Sequence, residues 1–125
     1  MDTRVRAAVT IIPAHRPAPS FLLTSEALSA AAAQARAAGK TLRALLICSP
    51  DNPTGRLLLP EEIQLAAQFA RENSLHFICD EIYAKSIFAE GASAFVSSAD
   101  CARDDLDSGR LHILCAQPPS RIEKL

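Results

Sequence analysis

Two short polar motifs, each placed directly after an apolar run, constrain the fold of this chain more than any other feature. The motif Ser49–Gly55 (SPDNPTG) follows the run Leu42–Cys48, and the motif Asp80–Tyr83 (DEIY) follows Leu75–Cys79. Apolar runs with β-branched members are typical of strands buried in a parallel sheet. Open α/β sheets bind ligands at the edge where the carboxyl ends of their strands meet, so the sequence predicts a pocket lined by both motifs.

The amino-terminal third of the chain predicts one strand and one helix. A strand is expected near Ala7–Ile12, followed by a proline-rich loop. Thr24 or Ser25 can cap the helix that comes next, because each hydroxyl can accept a hydrogen bond from a free main-chain N–H group of the first turn. Gly39 is expected to end this helix, since glycine adopts the left-handed conformation common after a helix.

The remaining segments continue the alternation of strands and helices. A second helix is expected to begin at Pro60, which has no N–H group to leave unpaired in a first turn. Ile82–Phe88 predicts a short helix or turn, Ala92–Asp107 an exposed loop or broken helix, and Arg110–Ala116 a last strand. The order strand, helix, strand, helix, strand favours right-handed crossovers, and therefore an α/β fold with a mainly parallel sheet.

The two motifs, about one crossover unit apart, resemble those of the fold type I pyridoxal-phosphate enzymes in the aminotransferase class I and II family. The resemblance runs from about Val5 to Ala116, and the segment from Ile12–His15 through Phe21 is closer to the 1-aminocyclopropane-1-carboxylate synthase-like branch. The resemblance implies a three-layer α/β sandwich. Residues 1–116 would be an incomplete part of its large domain, and residues 117–125 a divergent C-terminal tail.

The resemblance implies pyridoxal 5'-phosphate as cofactor and assigns three side chains to it. Asp80 would keep the pyridine nitrogen protonated, as the electron sink requires. The phenol of Tyr83 and the amide of Asn52 would bind the ring oxygen, and Asn52 would also orient the carboxylate of an amino acid substrate. Transamination, elimination and ring closure share these contacts, so the reaction type stays open. Full-length relatives form homodimers.

Two other interpretations of the motifs are open. The residues Pro50–Gly55 are ordinary turn formers, and a turn without a ligand would use the same sequence. Asp80 and Glu81 after an apolar strand are also typical of the acid pair that binds magnesium in nucleotide hydrolases. Those proteins need a phosphate loop of the form G-x-x-x-x-G-K-[ST]. Gly55–Arg56 lacks both the leading glycine and the lysine, which disfavours this interpretation.

The family's Schiff-base lysine follows the next strand in a segment of the Ser-x-Ser-Lys type. Pro119 stands roughly at that position here, and Lys124 is out of register. A lysine near a chain end is neither desolvated nor aimed at a reacting carbon, as a nucleophilic lysine must be. We therefore expect a fragment without a catalytic residue that is inactive alone. The alternative is a noncatalytic remnant or interaction module that pairs with a full-length enzyme.

The composition disfavours several other classes of protein. The net charge is −1 and no basic stripe is present, so nucleic-acid binding is not expected. The apolar stretches are broken well before the roughly 20 residues that a membrane-spanning helix requires. We expect no targeting signal and a cytoplasmic protein.

Cysteine and histidine spacing predicts no metal site. The cysteines lie at four separate positions, Cys48, Cys79, Cys101 and Cys115. They form no C-x-x-C pair, which indicates buried free thiols. His15, His76 and His112 are too scattered along the chain to suggest a metal site.

Overall fold

The structure, a computed structural model, describes residues 9–87 and 95–114. The chain forms two compact units, Met1–Thr41 and Leu42–Leu125, which are described in turn. Within the described residues, no helix is long and apolar enough to cross a membrane.

The first unit contains helix α1, Ser25–Ala37. Thr24 is its N-cap, and the Thr24 hydroxyl accepts a hydrogen bond of 3.2 Å from the N–H of Ala27. After the helix, Gly39 adopts a left-handed φ of +64°. The prediction of this helix, of its cap and of its glycine stop is therefore confirmed.

The strand expected near Ala7–Ile12 is not formed by the described part of that segment. Residues 9–12 have no strand structure, and Ala7 and Ala8 lie outside the described residues. Val9 is 74% exposed and Ile11 is 87% exposed. A strand is stable only when a neighbouring strand pairs with its main chain, and no described strand pairs with this segment.

The second unit is built on a parallel sheet with strand order β1-β2-β3. Its strands are β1 (Ala44–Cys48), β2 (His76–Asp80) and β3 (Leu111–Leu114). Both neighbouring pairs run parallel, so the predicted parallel sheet is confirmed. The last strand was expected to reach Ala116, but residues 115 and 116 lie outside the described part of the chain.

Helix α2, Pro60–Glu72, packs against β1 and β2. Pro60 stands in its first turn, as predicted, and two acidic residues follow it near the positive end of the helix dipole. The helix buries Ile63, Ala66, Ala67 and Ala70. This apolar stripe meets the sheet face that carries the buried side chains Ile47, Phe77, Cys79 and Leu111. The result is one hydrophobic core between α2 and the sheet.

Two short helices, α3, Ser98–Cys101, and α4, Arg103–Asp107, precede β3 and contact it. The prediction of a broken helix in this segment is confirmed, but the expected exposure is wrong at particular residues. Asp105 is buried, and its carboxylate forms an ion pair of 2.5 Å with Arg71 of α2. The pair lies 34 residues apart in sequence, so local composition could not reveal it.

The opposite face of the sheet carries Leu46 of β1, Ile78 of β2 and Leu114 of β3. Side chains alternate between faces along a strand, and the observed register places these three residues on the same face. Leu46 is 60% exposed and Leu114 is 50% exposed. The unit is thus an α/β sandwich fragment in which the described helices of the second unit cover the other face.

Candidate functional site

The carboxyl ends of the three strands are aligned and hydrogen-bonded to one another. Cys48, Asp80 and Leu114 are opposite one another in the register of the sheet. Beyond these positions, the N–H of Ser49 donates to the carbonyl of Asp80 at 2.9 Å, and the N–H of Glu81 donates to the carbonyl of Leu114 at 2.8 Å. The main chain on both sides of Asp80 is therefore fixed at the edge of the sheet.

Asp80 is half-buried at the last position of β2. Its Oδ1 atom accepts a hydrogen bond of 3.0 Å from the N–H of Ile82, which orients the carboxylate along the edge. Within residues 9–87 and 95–114, no hydrogen bond is made to Oδ2. None of these residues therefore competes by hydrogen bonding with a ligand donor or positive charge at Oδ2.

Tyr83 and Asn52 lie on the segments that leave β2 and β1 at the same edge. Tyr83 is 43% exposed in a turn, where its carbonyl accepts a hydrogen bond of 2.8 Å from the N–H of Ser86. Asn52 is exposed in the loop after β1. The three residues predicted to bind a cofactor therefore follow two adjacent strands at one edge of the sheet.

The loop that carries Asn52 is held by its own side chains. Asp51 is buried, and its Oδ2 accepts a hydrogen bond of 2.7 Å from the hydroxyl of Thr54. The hydroxyl of Ser49 accepts a hydrogen bond of 3.2 Å from the N–H of Leu58. Gly55 has a φ of +70°, a backbone conformation that glycine adopts without strain. The motif forms an ordered turn, and this turn leaves the Asn52 side chain facing solvent.

An arginine that the sequence interpretation did not single out ties this loop to α2. The guanidinium of Arg56 donates to both carboxylate oxygens of Glu62, at 3.2 and 2.5 Å. Oε2 of Glu62 also accepts the N–H of Leu59 at 2.9 Å. Bidentate pairs of this kind fix geometry as well as adding energy. The sequence contained a signal for this ion pair, because an arginine precedes the start of the helix and a glutamate lies in its first turn.

The second acid of the DEIY motif is a structural residue. Glu81 is buried, and Oε1 accepts the N–H of Ser98 at 2.7 Å and the Ser98 hydroxyl at 2.6 Å. Oε2 accepts the hydroxyl of Ser97 at 2.9 Å. Both oxygens are thus engaged by the segment that begins α3. This arrangement disfavours the magnesium interpretation, and no group of three or more metal-ligating side chains occurs among the described residues.

Cys79 lies directly before Asp80 but is not a reactive group. The thiol is buried, and burial raises its pKa to about 12. Burial also raises the pKa of Cys101. Cys48, Cys79 and Cys101 form no disulfide, as predicted, although only Cys79 is fully buried. Cys115 lies outside the described residues. A protonated thiol is a poor nucleophile.

The position predicted for the Schiff-base lysine is outside the part of the chain that the structure describes. Pro119 and Lys124 lie outside the described residues. The predicted site residues that the structure describes are Asp80, Asn52 and Tyr83.

Comparison with known sequences identifies similar proteins. The family model for aminotransferase class I and II matches residues 3–116. The protein named "Probable aminotransferase ACS12" of Arabidopsis thaliana is 37% identical over 115 residues, covering 90% of this chain and 23% of that protein. The human "Probable inactive 1-aminocyclopropane-1-carboxylate synthase-like protein 2" is 34% identical over 120 residues, covering 90% of this chain and 21% of that protein. The chain thus spans less than a quarter of these curated relatives.

Comparison with solved structures gives the same kind of neighbour. The aspartate aminotransferase of Thermus thermophilus, solved with maleate, aligns with a TM-score of 0.52 and 25% identity, covering 76% of this chain and 21% of that one. The family match spans most of the sequence, and the parallel sheet agrees with the fold of this neighbour. This chain belongs to the aminotransferase class I and II family, whose members are pyridoxal-phosphate-dependent enzymes.

Proposed function

We propose that this chain supplies the ring-binding part of a pyridoxal-phosphate site in an aminotransferase or 1-aminocyclopropane-1-carboxylate synthase-like protein. The observation that carries the proposal is the state of Asp80. Its main chain is fixed between β1 and β3, one carboxylate oxygen is satisfied by Ile82, and the other has no partner among the described residues. An oriented carboxylate with one available oxygen suits a ligand that carries a protonated nitrogen.

The chemistry of the donor set fits a pyridine ring. Asp80 would hold the proton on the ring nitrogen, because a neighbouring carboxylate favours the charged form of a base. The Asn52 amide and the Tyr83 phenol are donors that would bind the ring oxygen. When bound, pyridoxal phosphate supplies an electron sink for carbanion charge. The chain's own residues would therefore orient the ring and keep its nitrogen protonated.

We propose an amino acid as the substrate class, with the Asn52 amide also orienting the substrate carboxylate. The names of the Arabidopsis and human relatives support an aminotransferase or synthase-like reaction. Transamination, elimination and ring closure would use the same ring contacts, so Asp80 and Tyr83 do not discriminate among them. We place the protein in the cytoplasm.

We further propose that residues 1–116 act as part of an aminotransferase large domain, that residues 117–125 depart from the family pattern, and that the chain alone is not catalytic. Pro119 stands where the family resemblance places the lysine that forms the Schiff base. A second candidate function is a noncatalytic module that pairs with a full-length enzyme. The similarity to a human protein named as probable inactive favours it. Homodimer formation is a proposal within either function.

Titration of the purified chain with pyridoxal phosphate, followed by absorbance between about 330 and 430 nm, tests the proposal. We expect saturable binding that Asp80→Asn weakens by roughly tenfold or more, since this change removes a charge-assisted hydrogen bond but keeps the acceptor for Ile82. Asp107→Asn changes an exposed aspartate on α4 and should leave binding unchanged.

Three outcomes of this titration decide between the functions. Equal binding by the wild type and Asp80→Asn contradicts the role of Asp80. A saturable band that disappears with Lys124→Ala contradicts the proposed lack of catalytic chemistry, because it requires covalent attachment at the tail. No saturable binding by the folded chain contradicts ring binding and favours the noncatalytic module.

A further inference from the structure

Two histidines that are far apart in sequence lie side by side on the exposed face of the sheet. Nδ1 of His76 and Nε2 of His112 are 2.9 Å apart, although the residues are separated by 36 positions. Their ring centroids are 5.1 Å apart and the ring planes are tilted by 43°. Both side chains are exposed. The pairing of β2 with β3 therefore brings together two imidazole rings that are far apart in the sequence.

The main chain beneath this pair is fixed by the sheet. His112 is opposite Ile78 in the β2–β3 register, and His76 lies two residues earlier on the same face of β2. Hydrogen bonds hold the start of β2 on both sides. The His76 N–H donates to the carbonyl of Arg43 at 3.0 Å, and the Phe77 N–H donates to the carbonyl of Arg110 at 2.9 Å. A ligand pair on adjacent paired strands is preorganised, so little backbone order has to be gained on binding.

We propose that His76 and His112 form a two-histidine site for a divalent transition-metal ion. Imidazole nitrogens are ligands for copper, nickel and zinc. The 2.9 Å separation shows that the two rings reach the same point on the sheet face, so one ion could contact both. Cu²⁺ and Ni²⁺ accept nitrogen ligands in tetragonal geometry.

Binding requires a change of tautomer and a small rotation of both rings. In the hydrogen-bonded pair, one of the facing nitrogens carries a proton and donates a hydrogen bond, and the other nitrogen accepts that bond. The ring that carries this proton would move it to its other nitrogen, through solvent, so that both facing lone pairs become available. Each ring would then turn so that its lone pair points at the ion. Exposed side chains make such rotations readily, and water would fill the remaining coordination positions.

This site is separate from the proposed cofactor site. His76 is the first residue of β2 and Asp80 is the last, which places them about 13 Å apart along the strand. Metal binding at the pair and ring binding at the carboxyl edge can therefore be tested independently. The proposal does not depend on pyridoxal phosphate binding.

Isothermal titration of the untagged chain with Ni²⁺ tests the proposal without the thiol oxidation that Cu²⁺ would cause. The variants are His76→Ala, His112→Ala and His112→Gln, and the matched control is His15→Ala, which removes an exposed histidine from the first unit. Far-UV circular dichroism checks that each variant keeps the fold. Moderate salt screens the positive charges of Arg43 and Arg110, which flank the start of β2.

We expect one site per chain, with Ni²⁺ affinity reduced at least roughly tenfold in each His76 and His112 variant, because each leaves a single imidazole without its chelating partner. His15→Ala should bind as the wild type does. The proposal is overturned if the wild type shows no saturable binding. It is equally overturned if His15→Ala weakens binding as much as the pair variants do, or if the pair variants bind unchanged through cysteine thiolates.

Discussion

Glu81 stabilises the fold of the second unit rather than contributing to the chemistry of the edge. Its two carboxylate oxygens accept three hydrogen bonds from Ser97 and Ser98, and the Ser98 side chain is completely buried. Removing the carboxylate would leave a buried hydroxyl and a buried N–H group without a partner. Such groups are expensive, because they lose hydration without gaining a hydrogen bond. In Asp80, one residue earlier, only Oδ1 accepts a hydrogen bond from the part of the chain that the structure describes.

Glu81→Ala should therefore lower the free energy of unfolding by about 2 to 4 kcal/mol, measured by urea denaturation. Glu61→Ala is the matched control, because Glu61 is an exposed glutamate in the first turn of α2 and its favourable interaction with the helix dipole amounts to about 0.5 kcal/mol. Similar losses in the two variants would show that the buried hydrogen bonds contribute nothing measurable.

The Cys79 thiol makes stability depend on pH in the alkaline range. Its ordinary pKa of 9.0 is raised to about 12 in the folded chain, mainly by burial. As pH rises, the unfolded state loses this proton first, so ionisation favours unfolding. The contribution of the protonated thiol is full below pH 9 and is lost as pH rises toward 12.

Urea denaturation at a series of pH values from 8 to about 10.5 measures this dependence. The wild type should lose stability across the series, and Cys79→Ala should lose less. The Cys101 thiol, whose pKa burial also raises, contributes in the same direction, so Cys101→Ala provides the comparison. Parallel pH curves for the wild type and Cys79→Ala would contradict the assignment to Cys79.

At the scale of elements, the parts that the sequence predicted are those determined locally. Helix α1 has its cap at Thr24 and its stop at Gly39, and α2 has Pro60 in its first turn, so each carries its own start or end signal. The apolar runs before the two motifs became β1 and β2 because buried parallel strands are continuously apolar. Asn52, Asp80 and Tyr83 follow β1 and β2 at one edge of the sheet for the same reason, since their positions follow from where those strands end.

The parts that the sequence did not predict depend on residues far apart in the chain. Of the strand expected near Ala7–Ile12, the described residues 9–12 form none, because strand formation requires a partner that local sequence does not specify. Asp105 is buried against Arg71, 34 residues away, although its acidic neighbours indicated a solvated segment. The pair formed by His76 and His112 likewise depends on the register between β2 and β3.

The Arg56–Glu62 ion pair connects the loop after β1 to helix α2. Glu62 lies in the first turn of α2, whose apolar stripe fixes the helix on the sheet, and Arg56 belongs to the segment that follows the Asn52 turn. The position of the loop thus depends on the packing of the helix. The conformation of this turn therefore depends on a helix that is anchored in the core.

At the scale of the whole molecule, the exposed face of the sheet and its edges favour self-association. On one face of the sheet, Leu46 is 60% exposed and Leu114 is 50% exposed. The outer strands of the described sheet are β1 and β3. Unpaired strand edges and apolar patches both bind other chains. The net charge of −1 gives little electrostatic repulsion between copies. Association through this face would bury the apolar side chains that the described helices of the second unit leave uncovered.

Sedimentation velocity over a range of protein concentrations tests this expectation. The wild type should shift to larger species as concentration rises, and Leu46→Thr should reduce that shift, because threonine is β-branched and suits a strand but is smaller than leucine and adds a hydroxyl to the exposed face. Leu22→Thr changes an exposed leucine of the first unit and should associate as the wild type does. A monomeric wild type at every concentration, with a single cooperative unfolding transition, would show that the exposed leucines and strand edges do not drive association. Equal reduction by both variants would instead show that the sheet face has no special role, and that association follows total exposed apolar surface.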